Sequence, residues 1–271
     1  MREARRGAGL TGERLAARCG ISQSKISKIE TGKVLPSVTD VERILTTLGT
    51  RQDLTDELLA LARLANTDFQ STRADIRRGL YRKQRELAAL EADSAHIRFF
   101  LPTMITGLLQ TPEYARASLG VFPGDHGQAI AKRLERQATL YNRAKRFTFL
   151  LTEAAVRWQL CEPAVMAVQM GRLASLSELP NIRLGIIPLD THIPDGPLST
   201  FTVYDERIAT AETFGGVIMM RDPRDVAYHL ELFDFFERYA LFADDVRALL
   251  EKYAQNFRQA SLRPHLFHIG N

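Results

Sequence analysis

Thr11 to Lys33 reads TGERLAARCGISQSKISKIETGK, and this stretch decides the fold of the amino-terminal part of the chain. Leu15, Ala16 and Cys19 recur at helical spacing on one short segment, and Ile26 and Ile29 recur on a second. Each segment therefore has one apolar stripe to bury. Gly20 between them can take the positive φ of a sharp turn, Ile21 offers an apolar side chain, and Ser22 is placed to cap the second helix. Gly32 stops it.

With Ile26 and Ile29 turned inward, Gln23, Ser24, Lys25, Ser27 and Lys28 form an outer face that contains no acid. Such a face suits the edges of base pairs. Gln pairs bidentately with adenine, Lys donates to guanine acceptors and Ser serves either, in a major groove wide enough for one helix. The plainer reading of the same residues is a pair of amphipathic helices in an ordinary helical domain. The joint spacing of Ala16, Gly20, Ile26, Glu30 and Gly32 speaks against it.

On these residues the chain resembles the Cro and phage-repressor type of helix-turn-helix, the Xre family. The resemblance covers about fifty residues: AGLT at 8–11, Leu15 and Ala16, GISQSKISKIETGK, and a following helix from Ser37 to Leu48. It implies base contacts from Gln23, Ser24, Ser27 and Lys28, and places Thr11, Lys25 and Lys33 near phosphates. Arg5 and Arg6 are further phosphate candidates. Gly12 stands where many relatives carry Gln, which removes a contact that clamps phosphate and recognition helix together. Only Met1 to Arg6 precede the motif, where relatives usually have a longer helix.

The chain has 271 residues, 45% of them hydrophobic, enough for two domains with real cores. Its formal charge of +4 is unevenly spread: residues 1–50 hold nine Lys/Arg against five Asp/Glu, and the rest balances at 27 of each. The whole excess sits on the candidate DNA-binding segment, as phosphate neutralisation requires. Cys19 and Cys161 stand apart on patterns that look buried, so no disulfide framework or CxxC site is expected. No signal-peptide core or membrane-length apolar run is present, and a cytoplasmic protein without a membrane partner is expected.

Ser37 and Asp40 approximate a capping box before Val38, Val41, Ile44, Leu45 and Leu48. A further helix is read with Leu54, Leu58, Leu61, Leu64 and Ala65 inward. These complete a helix-turn-helix domain over 1–67, and the polar run Asn66 to Thr72 reads as a linker. Residues 68–94 read as a basic linker helix carrying Arg73, Arg77, Arg78, Arg82, Lys83 and Arg85. That run is a solvated face, a strip along flanking DNA, or a pairing surface for a second copy.

Residues 95–257 read as an α+β domain with a small sheet. Thr111 and Pro112 start a helix after the LLQT loop, and a helix is expected from Gly127 to Lys145. Strands are expected at Phe147 to Leu151, Ile182 to Ile187, Phe201 to Tyr204, Ile208 to Thr213 and Val217 to Met220. Helices are expected at Val165 to Leu176, 222–241 and 244–257, and residues 258–271 read as a loose tail. TGLLQTPEYAR, RLERQ, FLLTEAAVRW, IRLGIIP and FTVYD resemble, in order, the uncharacterised carboxy-terminal domain of actinomycete regulators of the WhiJ-like type. That resemblance implies a transcription regulator, often compared to an antitoxin, encoded beside a small partner protein. Thr106 stands where many relatives have Pro. Met104, Leu108, Leu109 and Tyr114 are the candidate partner-docking residues, and a homodimer on a palindromic site is expected because one such module makes few contacts.

Little in the chain points to catalysis. The six histidines are scattered, with no HExxH, GxSxG or phosphate-cradling loop; His265 and His268, one turn apart, read as solvent-exposed or as a metal pair. No cofactor is expected. IRLGIIP followed by FTVYDERIATAE faintly resembles half of a phospholipase-D-like sheet, whose chemistry needs a His two residues before a Lys. No His-x-Lys occurs here, so a relationship would be to a non-catalytic binding version. Glu153, Asp205 and Glu212 are the alternative acid/base set, with Asp205 and Glu206 otherwise turn residues.

Overall fold

The computed structural model describes residues 1–122 and 124–262. The chain opens with five helices: α1 (Arg2–Gly7), α2 (Gly12–Cys19), α3 (Gln23–Glu30), α4 (Val38–Leu48) and α5 (Gln52–Asn66). Leu15, Ala16 and Cys19 of α2 meet Ile26 and Ile29 of α3 and Ile44 of α4 in one small core; Val38, Val41 and Leu45 meet Leu59 and Ala62 of α5 in a second. The expected capping box is present: Ser37 Oγ accepts from the Asp40 N–H and Asp40 accepts in return from the Ser37 N–H.

The inward face of α5 differs from the expected one. Leu59, Ala62 and Asn66 are buried, while Leu54, Leu61 and Leu64 are exposed. This helix is apolar around much of its circumference, so periodicity admits more than one phase. Asn66, whose amide donates to the carbonyls of Pro36 and Ala62, belongs to the phase that packs inward.

Residues 66–72 are not a linker. Thr67–Ser71 forms β1, which pairs antiparallel with β7 far along the chain, Phe69 opposite Ile218. The basic segment then divides at Gly79, whose φ of 93° suits no side chain, into α6 (Thr72–Arg78) and α7 (Leu80–Ala92). The remaining elements are β2 (His96–Leu101), α8 (Pro112–Leu119), α9 (Gly127–Arg136), β3 (Arg146–Thr152), α10 (Glu153–Arg157), α11 (Pro163–Ser177), β4 (Ile182–Ile187), β5 (Thr200–Tyr204), β6 (Ile208–Glu212), β7 (Gly216–Met220), α12 (Pro223–Glu237) and α13 (Ala243–Ser261). The helix expected to reach Lys145 ends at Arg136 and passes into a 3-10 turn, Gln137–Tyr141. The first residues of the expected tail, up to Ser261, continue α13; His265 and His268 lie outside the described residues.

The sheet is larger than expected, with seven strands in the order β1-β7-β6-β5-β2-β3-β4. β2, β3 and β4 run parallel and the rest pair antiparallel. Alternate strand residues serve opposite faces. Phe99, Phe149 and Leu184 pack with Tyr114 of α8, Met170 of α11 and Leu250 of α13, whereas Phe100, Leu150 and Phe201 pack with Val226, Phe233 and Phe236 of α12. The sheet is therefore the middle layer of three.

Candidate nucleic-acid interface

The turn between α2 and α3 is built by local chemistry. Thr11 Oγ1 accepts from the Arg14 N–H at 3.2 Å, capping α2; Gly20 closes that helix at φ 64°; Ser22 Oγ accepts from the Lys25 N–H at 3.3 Å, capping α3. With Ile26 and Ile29 held in the core, Gln23, Ser24, Ser27 and Lys28 all stand exposed on the outer face of α3. None of these four side chains has a partner among the described residues. They are the four base-contact candidates, brought together as one surface.

The phosphate candidates divide. Thr11, Arg6 and Lys33 are exposed beside the motif. Lys25 is half-exposed and ties α3 to α4 through Asp40 at 2.8 Å. Asp40 is buried, which raises its carboxyl, but bonds from Lys25 and Ser37 outweigh burial and hold it below the ordinary range. Arg5 is corrected. Its Nε and Nη2 donate to both carboxylate oxygens of Glu30 at 2.6 and 2.8 Å, and Nη1 donates to the Leu10 carbonyl. A guanidinium engaged in this way clamps α1 to the end of α3 and does not stand free for phosphate. Glu30, the one acid of the recognition helix, was the signal that a basic partner was needed.

The proposed docking stretch is also corrected. Leu108, Leu109 and Tyr114 have no exposed surface, and only Met104 reaches solvent. The loop before α8 turns inward because side-chain amides replace water at its backbone. Gln137 donates to the carbonyls of Gly107 and Gln110, Gln169 donates to that of Leu109 while accepting from the Thr111 N–H, and Gln110 donates to that of Ile105. The Leu side chains can then fill the core.

A contact that sequence reasoning missed joins the two parts of the molecule. Asp222, buried at the start of α12, accepts from the Val38 N–H at the start of α4. The Arg221 N–H donates to the Asn66 carbonyl, and Arg224 pairs with Glu42 at 3.2 Å. Both α4 and the end of α5 are thus tied directly to the junction between β7 and α12.

Residues 84–252, more than half of the chain, match the family described as Domain of unknown function (DUF5753). The chain belongs to the DUF5753 family. Residues 1–58 of this DUF5753 protein match a second family, described as Helix-turn-helix domain, which covers α1 to α4 and the start of α5. A helix-turn-helix domain therefore precedes the DUF5753 region. No curated protein matches the chain. Among solved structures, similarity is found to NucT from Helicobacter pylori, with 8% identity, a TM-score of 0.41, and coverage of 65% of this chain and 98% of that one. It is found also to Nuc, a phospholipase D family member from Salmonella typhimurium, with 11% identity, a TM-score of 0.35, and 59% and 90% coverage. A third is TrmBL2, an archaeal chromatin protein, with 12% identity, a TM-score of 0.34, and 86% and 88% coverage.

The acid/base candidates of the DUF5753 region are not assembled. Glu153 follows the carboxyl end of β3, where it accepts from Tyr253, Arg157 and the Leu189 N–H. Asp205 sits at the opposite end of the sheet, accepting from the N–H groups of Ala95 and His96 where β2 begins. Asp205 adopts φ 52° and turns the β5–β6 hairpin. Both carboxyls lie below the ordinary range: burial raises them, and the hydrogen bonds just named outweigh it. Among the described residues no group of three or more His, Cys, Asp or Glu is placed to hold a metal ion, and no helix is long and apolar enough to cross a membrane.

Proposed function

We propose that this protein is a sequence-specific transcription regulator of the Cro and phage-repressor type, working in the cytoplasm and reading the major groove with α3. One observation carries the reading. The outer face of α3 presents Gln23, Ser24, Ser27 and Lys28 exposed, free of partners and without an acid among them, on a helix fixed at both ends. That is the chemistry of base-edge readout. Thr11, Lys25, Lys33 and Arg6 supply phosphate contacts that set the register.

One module of this size makes few base contacts, so the reading includes a homodimer on a roughly palindromic operator, half-sites about one helical turn apart. The DUF5753 region receives an effector or a small protein partner, as its WhiJ-like resemblance implies, and performs no catalysis. Exposed Trp158, at the end of α10, and Leu189, just after β4, favour a partner-binding role for this region. The antitoxin-like alternative, in which sequestering that partner is the main task and DNA binding is secondary, shares this support.

The test is selection of bound duplexes from a random pool, followed by titration against salt. An enriched palindrome supports the regulator and gives the half-site spacing. No enrichment, with only steeply salt-dependent binding, would make the basic end a nonspecific anchor and overturn the reading.

A further inference from the structure

We propose that the arginines of α6 and α7 form a second grip on the same duplex, holding the phosphate backbone beyond the base pairs that α3 reads. The proposal rests on the DNA-binding reading above. Residues 72–85 contain Arg73, Arg77, Arg78, Arg82, Lys83 and Arg85 against a single acid, Asp75. Arg73, Arg77, Arg78 and Arg85 are exposed and enter no ion pair or side-chain hydrogen bond among the described residues. Arg82 is engaged only by its neighbour Tyr81, whose hydroxyl it reaches at 3.3 Å. Some exposed arginines elsewhere, such as Arg51, Arg183, Arg221 and Arg224, have a carboxylate within reach; others, such as Arg63, are unpaired but stand outside any basic run of the sequence. The α6–α7 segment keeps its charge unneutralised.

Its place in the fold identifies the polyanion. Asn66 holds the end of α5 against Pro36, in the loop that follows the recognition helix, and β1 starts at the next residue. The first turn of α6 is one five-residue strand further on, about 17 Å at the usual rise. That is about half of the ~34 Å turn of B-DNA. β1 is hydrogen-bonded along its length to β7, so this distance is set by the sheet rather than by a flexible tether. Unpaired guanidinium groups, each able to bind phosphate bidentately, therefore begin about one strand length from the residue that anchors the end of α5 to the loop after α3. An acidic protein would also satisfy the charge, but DNA is the polyanion that the reading of α3 already brings to the molecule.

The experiment compares full-length protein with an Arg73→Gln, Arg77→Gln, Arg78→Gln triple variant on the enriched duplex, trimmed to the palindrome or extended by about one turn on each side. The proposal expects equal affinity on the trimmed duplex. On the extended one the variant binds more weakly, and its slope of log K against log salt is shallower by about 0.9 for each phosphate no longer neutralised. The corresponding Arg→Lys triple restores most of the slope. Equal affinity and slope on the extended duplex, with enrichment intact, would overturn this inference while leaving the α3 reading standing. The same result with loss of an acidic protein partner would assign the arginines to that partner instead. If the parent protein enriches no sequence, the α3 reading fails and this inference fails with it.

Discussion

Asp222 and Val38 are 184 residues apart in sequence, and the carboxylate of one accepts the backbone N–H of the other at 2.9 Å. The second oxygen of Asp222 accepts the Arg224 N–H at the start of α12, so one buried side chain caps two helices in two parts of the molecule. Capping usually acts within a helix. Here it also fixes how the helix-turn-helix unit is carried.

Replacing Asp222 with Ala leaves the Val38 N–H buried and unpaired, at a cost of about 1–2 kcal/mol. The parent is expected to unfold in one thermal transition and the variant in two, with amide exchange faster in α4. Asp222→Asn keeps an acceptor and gives a milder effect. A single unchanged transition in the Ala variant would show that the other ties suffice.

Gln23→Ala and Lys28→Ala remove side chains that support nothing in the fold, so stability should hold. Specific affinity for the enriched duplex should fall by about 1–3 kcal/mol for each good base pairing removed. Binding measured by fluorescence anisotropy that is unaltered in both variants would remove α3 from the groove.

Arg5 and Glu30 give the amino-terminal unit an acid limb. The bonds from Arg5 hold the Glu30 carboxyl below its usual value against the effect of burial. The pair's contribution is full above the unfolded carboxylate pKa and is lost as pH falls through the folded one. Solvent screening keeps it to roughly 1 kcal/mol. Glu30→Gln should lower stability near neutrality and flatten the profile below about pH 4.5; the check is denaturant melts across that range.

Glu91 works in the opposite sense. Burial pushes its carboxyl up to about 7 despite Arg136 and Lys145 nearby. A raised folded pKa means stability present below the unfolded value and lost as pH rises towards 7. Glu91→Gln, which imitates the protonated acid, should match the parent in acid and should lose less stability between about pH 5 and 8. A parent-like slope would show that Glu91 is ionised throughout.

Much of the recognition unit was legible because its signals are local. Gly20, Ser22, Ser37 and Asp40 do in the structure what their positions implied, since a cap or a turn needs only its neighbours. β1 was not legible: TDFQS has no alternating apolar pattern, and what makes it a strand is β7. Gly216 carries the other half of that information, because a Cβ there would collide with the Gln70 carbonyl and the Phe69 ring. The phase of α5 was lost in its excess of leucine. Leu108, Leu109 and Tyr114 were misread because the amides that draw their loop inward, from Gln137 and Gln169, come from distant segments.

The pairing of β1 with β7 also means that the amino-terminal unit is not a detachable module. Cutting the chain after β1 would strip the sheet of its outermost strand and bare the hydrogen-bonding groups of β7, beside the apolar Ile218 and Met220. Such an edge invites aggregation. A stable fragment of the larger domain would need to begin at Thr67, and a chimaera with a foreign recognition unit would need to keep Asn66 to Ser71.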